Sequence, residues 1–349
     1  MDVSKATMAQ EVVEAGLEPA VSPVRRHRPA RQQDAWRKVH KLALRHLDHF
    51  ISFEPKVLKG DDPDAIHDMR VASRRLQQLL DLIYPQPRPR EVRRLRRRIR
   101  RCRLALGDVR NCDVLLGLVE SSLHRKRVPR REAWTAVRDY LLERRVECFS
   151  KAMRKLGKVN LAILYVHSKE HLALARGASG RHAHLHAVSE SPTVEPLPER
   201  VARALEAVWN AFEEKVTLSQ GDRGAAVIHG VRIAAKRLRY LLEVLHAFDV
   251  PGSAGAVAWL RRLQQHLGDW HDLEVLEQVM VEMIARPDYL REHLPLIMAV
   301  EKLILRNREN KKQLEEKYFQ MARESVELRR LKGWVGYLVT SPSAAFAKA

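Results

Sequence analysis

The chain of 349 residues contains two segments that each occur twice, in the same order. Residues Ile66–Leu76 read IHDMRVASRRL and return as Ile228–Leu238, IHGVRIAAKRL. Residues Leu106–Leu115 read LGDVRNCDVL and return as Leu267–Leu276, LGDWHDLEVL, at almost the same separation. Two repeats in one order and at nearly one spacing indicate a duplicated unit. We therefore expect a fold built from two related halves.

Apolar residues recur at helical spacing along most of the chain. At about 100° per residue, each copy of the first repeated segment places its apolar residues on one side of a helix. A histidine followed by cations occupies the opposite, outward side of the same helix, and in the second copy Tyr240 is predicted to lie on that outward side as well. No segment shows the sustained alternation that is expected of a β-strand. The sequence therefore predicts an all-α fold of two bundles with roughly four helices each.

Proline, glycine and polar segments divide the helical pattern. Residues 1–33 are polar with three prolines and are interpreted as a disordered basic N-terminal arm. Residues 34–176 form the predicted first half, and residues 200–340 form the second half. Residues 177–199 are rich in Gly, Pro, Ser and His, so they are predicted to link the halves. Residues 341–349 are predicted to form a short tail.

The chain carries a large excess of positive charge. Lys and Arg number 63 against 43 Asp and Glu, which gives a formal net charge of +20. Such a surface field attracts polyanions, whether nucleic acid, an anionic membrane or a phosphate polymer. We find no secretory signal pattern and no run of about 18 apolar residues, so we expect no membrane-spanning segment. The predicted partners do not include a membrane. Three cysteines without a paired motif suit a reducing cytoplasm.

The polar faces of the two repeated helices are predicted to bind an anion. Each face carries a histidine, a cation three residues later and another cation four residues after that: His67, Arg70 and Arg74 in the first copy, and His229, Arg232 and Lys236 in the second. Like charges at this spacing repel each other, and a multiply charged anion would relieve the repulsion. Arginine and lysine donors suit phosphate oxygens. The alternative is an ordinary solvated helix face, but the recurrence of His and Arg in register favours a binding role.

A denser basic segment and the second repeat add further candidates. Between Arg88 and Arg103 there are ten arginines and one acid, Glu91, but only two of these arginines recur in the second copy. The second repeated segment contributes one more basic group in each copy. The candidates added in this way are Arg100, Arg101, Arg261, Arg262, Arg110 and His271.

Two glycines and two aspartates recur in the second repeated segment. Gly107 and Gly268 lie inside helical patterns, where glycine costs about 1 kcal/mol relative to alanine. They therefore predict close helix packing or a kink. Asp108 and Asp269 either hold a neighbouring arginine in place or contact the ligand, and the sequence leaves both roles open.

The two repeated motifs resemble those of the CHAD family, the histidine α-helical domains. The resemblance covers roughly residues 34–340 and rests on two motifs that each occur twice. It implies two four-helix bundles related by pseudo-twofold symmetry, a basic surface between them, and non-catalytic binding of inorganic polyphosphate. The ligand-contacting positions that it implies are His67, Arg70, Arg74, Arg75, His229, Arg232, Lys236 and Arg237, together with Arg101, Arg110, Arg262 and His271.

We therefore predict a cytoplasmic polyphosphate-binding protein, with recruitment to polyphosphate granules as an extension of that role. The prediction includes no catalytic residue, no metal ligand and no cofactor. Nothing in the sequence predicts the oligomeric state.

Two other functions stay open. Basic charge alone would bind a nucleic-acid backbone, but aromatic residues make up only 6% of the chain and do not interleave with the basic faces. The doublet His271-Asp272 is similar to one used by metal-dependent phosphohydrolases, but we find no further set of metal ligands.

Overall fold

The computed structural model describes residues 28–178, 195–287 and 294–346. The chain in these ranges is helical almost throughout and contains no strand, so the all-α prediction is confirmed. None of the helices in these ranges has the length and apolar character needed to cross a membrane.

Thirteen helices can be assigned in the described ranges. The first half contains α1 (Arg28–Ser52), α2 (Glu54–Lys59), α3 (Pro63–Ile83), α4 (Arg90–Ala105), α5 (Gly107–Leu123), α6 (Arg131–Gly157) and α7 (Leu161–Ala178). The second half contains α8 (Leu197–Gly221), α9 (Ala225–Ala247), α10 (Ser253–Ile284), α11 (Leu294–Glu324), α12 (Val326–Thr340) and α13 (Pro342–Phe346).

Several helix ends differ from the predicted boundaries. Helix α1 begins at Arg28, inside the predicted arm. Pro29 does not prevent this, because proline is tolerated in the first turn of a helix. The rest of the arm, residues 1–27, lies outside the described residues, as do residues 179–194 of the predicted link. Part of the predicted tail forms α13, which packs against α8.

The first repeated segment lies in α3, and its local sequence explains where that helix begins. Asp62 accepts hydrogen bonds from the backbone N–H groups of Asp64 and Ala65, and Pro63 occupies the first helical position. The predicted apolar side of α3 is buried, as is that of its counterpart α9. The opposite sides of both helices keep the basic residues partly accessible.

Helix contacts repeat between the halves. Helix α1 packs against α3 and α7, as α8 packs against α9 and α12. Helix α3 packs against α4 as α9 does against α10, and α5 packs against α6 as α10 does against α11. The matching contacts agree with the expected duplication, and the pseudo-twofold symmetry stays a prediction.

Buried side chains join the halves into one body. The larger apolar core includes buried residues of α1, α3 and α7 together with residues of α8, α9 and α10. A smaller core is formed where Leu115 and Val137 of α5 and α6 meet Met280 and Val300 of α10 and α11. Because apolar burial is the main stabilising term in folding, the two halves are expected to support each other.

The halves differ where the second repeated segment lies. Helix α4 ends at Ala105 and α5 begins at Gly107, whereas α10 continues without a break through Gly268. A Cβ added to Gly107 would lie 3.4 Å from Nη1 of Arg70, but one added to Gly268 would meet no heavy atom within 4 Å. The expectation of close packing or a kink is therefore confirmed at Gly107, whereas close packing at Gly268 is not found.

Candidate polyanion-binding site

Helices α3 and α9, one from each half, contact each other, and basic residues of both lie near this contact. Arg74 of α3 lies close enough to α9 that its charge helps to lower the pKa values of Arg232 and Lys236. In the same region, the charge of Arg110 of α5 acts on Asp272 of α10. Cations from both halves therefore share one site.

The first half contributes a group of half-buried arginines. Nη1 of Arg70 donates to the backbone carbonyl of Arg103, and Nη1 of Arg103 donates to Oε1 of Gln77. Burial lowers the pKa of Arg70 to about 10, and the charges of Arg74 and Arg103 add to this effect. Burial likewise lowers the pKa of Arg103 to about 10, with Arg74 contributing again. These guanidinium groups are held close together despite their repulsion.

The second half contributes Arg232 and Lys236 from α9. Burial lowers the pKa of Lys236 to about 6, and the charges of Arg232 and Arg74 reinforce the shift. Burial also lowers the pKa of Arg232, although Asp272 acts in the opposite direction. Nε of Arg232 is buried and has no hydrogen-bond partner among the described residues. An unsatisfied buried donor costs about 1–3 kcal/mol, and a ligand oxygen would satisfy it.

Three histidines border these cations. The rings of His229 and His271 lie 4.9 Å apart, centroid to centroid. Burial lowers the pKa of His271 to about 3, with Arg232 and His229 contributing. Burial also lowers the pKa of His229 and that of His67, where the charge of Arg110 is the next cause. In the free protein these shifts favour the uncharged form of the rings, and an uncharged ring can donate one hydrogen bond.

We call this arrangement the central basic cluster. It consists of Arg70, Arg74, Arg103, Arg110, Arg232 and Lys236, bordered by His67, His229 and His271. Two carboxylates, Asp108 and Asp272, act on these cations. Burial raises the pKa of Asp272, and neighbouring Arg232 opposes that rise. The carboxylates offset only part of the positive charge.

Arg75 and Arg237 each interact with an acidic residue of the other half, near the contact between α3 and α9. Nε of Arg75 donates to Oε2 of Glu243 across the two halves at 2.9 Å. Arg237 is exposed, and its charge acts on Asp81. When the two copies of the first repeated segment are aligned, Arg75 corresponds to Arg237 and Asp81 corresponds to Glu243. The two interactions are thus reciprocal, as they would be across a twofold axis.

Four other candidates lie outside the central basic cluster. Arg100, Arg101, Arg261 and Arg262 are all exposed. Arg100 lies next to the cluster, because its charge helps to lower the pKa of Arg103. Nη2 of Arg261 lies 3.8 Å from Glu243, and Arg262 acts on Glu327 of α12. The structure therefore does not gather these four residues at one place.

Arg103 and the burial of Tyr240 do not follow from the sequence pattern. Arg103 does not recur in the second half, because it corresponds to Gln264 when the two copies of the second repeated segment are aligned. Gln264 is buried and donates through Nε2 to the carbonyl of Ala235 at 2.7 Å. The helical spacing predicted an outward Tyr240, but this residue is only 5% exposed. The prediction was wrong because a single helix does not reveal what packs against it; here Tyr240 lies close enough to Arg103 of α4, in the other half, to act on its pKa.

No three His, Cys, Asp or Glu side chains of the described residues gather closely enough to hold a metal ion. His271 and Asp272 lie instead beside Arg232, whose charge acts on both of them. The arrangement of these two residues in the described part of the chain therefore gives no support to the phosphohydrolase alternative.

Comparison with known proteins adds a family match and two similar folds. Residues 41–281 match the profile of the family described as CHAD domain. No curated protein sequence matches the chain. The crystal structure of the CHAD domain from the plant Ricinus communis is similar, with 20% identity, a TM-score of 0.56, and coverage of 86% of this chain and 91% of that one. PptA from Streptomyces chartreusis is also similar, with 15% identity, a TM-score of 0.55, and coverage of 82% and 98% respectively. At these identities the two structures show the fold.

Proposed function

The chain belongs to the CHAD domain family, and we propose that it binds inorganic polyphosphate at the central basic cluster without reacting with it. One observation carries this proposal: Arg74 of the first half lies close enough to Arg232 and Lys236 of the second half for its charge to lower their pKa values. Each of these cations disfavours the charged state of its neighbours, so the free site is electrostatically strained. A ligand with several negative charges would remove that strain.

The donors of the cluster suit phosphate oxygens. Arginine presents a planar fork of N–H groups, lysine presents a compact charge, and the neutral histidines add single donors. The buried Nε of Arg232 needs an acceptor that the described residues do not provide. Because its donors are spread over both halves, the cluster would contact an extended anion at several phosphates.

A bare phosphate chain fits this site better than nucleic acid does. The cations are half-buried between helices, and Tyr240, the aromatic residue beside them, is too buried to stack on a base. Nucleic-acid binding commonly combines backbone contacts with base stacking or base-edge contacts. The cluster supplies only the first kind of contact, which suits a polymer without bases.

The test replaces Arg74 and Arg232 by glutamine, one from each half. We expect the affinity for long-chain polyphosphate at near-physiological salt to fall by at least tenfold per residue, since a hydrogen bond to a charged group contributes about 1.5–3 kcal/mol. The matched control replaces Lys302 and Arg306, two exposed cations of α11, by glutamine. Equal affinity of the R74Q/R232Q and K302Q/R306Q variants, with helical content preserved, would rule out the proposed site.

Competition and incubation experiments separate the alternatives. Long-chain polyphosphate should displace duplex DNA at a much lower phosphate concentration than the reverse. Incubation with polyphosphate and Mg²⁺ or Mn²⁺ should leave the chain length unchanged. Release of phosphate would contradict the non-catalytic part of the proposal and favour a phosphohydrolase.

We further propose that the protein is cytoplasmic and is recruited to polyphosphate granules. Multivalent contact with a long polymer supports this, because several weak sites on one chain give a high apparent affinity. A fluorescent fusion should overlap with stained granules, and the R74Q/R232Q variant should be dispersed. Equal granule labelling by both proteins would contradict recruitment through the cluster.

A further inference from the structure

Helix α4 carries a row of arginines that the central basic cluster does not use. One side of the helix is buried through Val92, Leu95, Ile99 and Cys102. At 100° per residue, six arginines occupy a sector of about 120° on the opposite side, and they span about 16 Å along the helix axis. All six are exposed; we call them the α4 ladder: Arg90, Arg93, Arg94, Arg97, Arg100 and Arg101.

The ladder has no acidic partner among the described residues. Asp81 pairs instead with Arg88 and Arg96, which flank the ladder, at 3.0 and 2.6 Å. One ladder residue, Arg93, donates to the backbone carbonyl of Arg88 at 3.0 Å. Cations spaced three and four residues apart on a helix repel each other. An anion lying along this face would relieve that repulsion.

The ladder is continuous with the central basic cluster. Arg103 of α4 belongs to the cluster, where the charge of Arg74 acts on it. The charge of Arg100, three residues earlier on α4, also acts on Arg103. Neighbouring positive charges therefore lead from Arg74 to Arg103 and Arg100, and from Arg100 to Arg97 along α4.

The duplicated fold does not need an arginine at several of the ladder positions. In the same alignment of the second repeated segments, Arg90, Arg94 and Arg97 correspond to Pro251, Gly255 and Ala258 in the second half. Small and uncharged residues are thus compatible with the equivalent positions in and just before α10. Arg100 and Arg101 do recur, as Arg261 and Arg262, so only the N-terminal part of the ladder is a property of the first half alone.

We propose that the α4 ladder is a second polyphosphate-binding surface, which holds the part of a long chain that extends beyond the central basic cluster. This inference rests on the proposed function. A short chain would occupy the cluster alone, and a long chain would also bind along α4. The ladder thereby makes the protein selective for long polymers, because each additional phosphate contact adds to the binding of one molecule.

The test replaces Arg90, Arg94 and Arg97 by glutamine, which has a similar helix propensity to arginine. None of these three residues belongs to the central basic cluster. The matched control replaces Lys302, Arg306 and Lys312 of α11 by glutamine, which removes the same charge from another exposed helix face. Affinities for inorganic tripolyphosphate and for long-chain polyphosphate are measured for both variants across a range of salt concentrations.

We expect the ladder variant to bind tripolyphosphate within about twofold of wild type and to bind long chains at least tenfold more weakly. For long chains, the slope of log affinity against log salt concentration should become shallower by about two. Three phosphate contacts are lost, and each contributes roughly 0.7 to this slope. The α11 control should not change the salt dependence of binding by a comparable amount, either for tripolyphosphate or for long chains. R74Q/R232Q should lose tripolyphosphate binding, which the ladder variant keeps.

If the ladder variant bound long chains as tightly as wild type, or if the α11 control lost as much affinity, the proposed role of the α4 ladder would be contradicted. Neither result would contradict binding at the central basic cluster. Loss of duplex DNA binding without loss of polyphosphate binding would assign the ladder to nucleic acid and also overturn the proposal. Failure of the wild-type protein to bind either phosphate chain would instead contradict the proposed function itself.

Discussion

The protonation state of Lys236 sets how much charge the central basic cluster presents. Its pKa of about 6 results from burial first and from Arg232 and Arg74 next, so most of this amine is neutral at pH 7 in the free protein. Asp272 opposes the shift, and Arg239 adds to it. A bound polyanion would favour the ammonium form and raise this pKa.

Polyphosphate binding is therefore predicted to take up a proton. Above pH 6 the free protein holds Lys236 largely neutral and the complex holds it charged, so affinity should fall as pH rises from 6 to 8, by up to tenfold per pH unit. Titration calorimetry in two buffers of different ionisation enthalpy measures the uptake. Long chains are used so that few terminal phosphates titrate in the same range.

The variant K236M separates this effect from the histidines. His229 and His271 face the same cluster and could also take up protons when the anion binds. We expect K236M to lose most of the pH dependence and H271Q to keep it, because the pKa of His271, about 3 in the free protein, is much further from neutrality. An unchanged pH slope in K236M would contradict the assignment to this lysine.

At the scale of helices, the two copies of the second repeated segment are built differently. The first copy breaks between α4 and α5 at Leu106, and Gly107 faces the guanidinium of Arg70. The second copy is part of the continuous helix α10, and Gly268 faces open space. The same glycine therefore permits a close approach in one half and only weakens a helix in the other.

Replacement of these glycines by alanine should give different results. G268A should stabilise the protein by up to about 1 kcal/mol, because alanine is the better residue within a helix and its Cβ meets no neighbour. G107A should gain less, since Gly107 begins α5 and the new Cβ would lie 3.4 Å from Nη1 of Arg70. Urea unfolding measures both. Equal gains in the two variants would contradict this interpretation of Gly107.

At the scale of the whole molecule, charge as well as apolar packing joins the halves. Glu243 of α9 lies 2.9 Å from Arg75 of α3, and 3.7 and 3.8 Å from Arg239 and Arg261 of its own half. This carboxylate is only 14% exposed. It offsets part of the repulsion where two basic helices meet.

The variant E243Q should destabilise the folded protein. Without the carboxylate, Arg75 and Arg239 remain close to each other and lack their acidic partner, a change expected to cost about 1–3 kcal/mol. The control is E301Q on α11, where the glutamate is exposed and should contribute little. Chemical unfolding of both variants tests this. Equal stability of E243Q and wild type would show that apolar packing alone joins α3 to α9.

The periodicity of single helices accounts for what could be predicted from the sequence. The apolar side of α3, the repetition in α9 and the all-α class depend on residues within a few turns of each other. The motifs found twice also sufficed to identify the family. Basic residues on the polar sides of α3 and α9 could be named for the same reason.

Only the tertiary structure decides which basic residues share a site. It places Arg103 in the central basic cluster, pairs Arg75 with Glu243, buries Tyr240 and leaves Arg101 exposed. These outcomes depend on how α3, α4 and α9 pack against one another. The period of a helix determines the side to which a residue points, but the element that covers that side is determined by contacts between residues far apart in the chain.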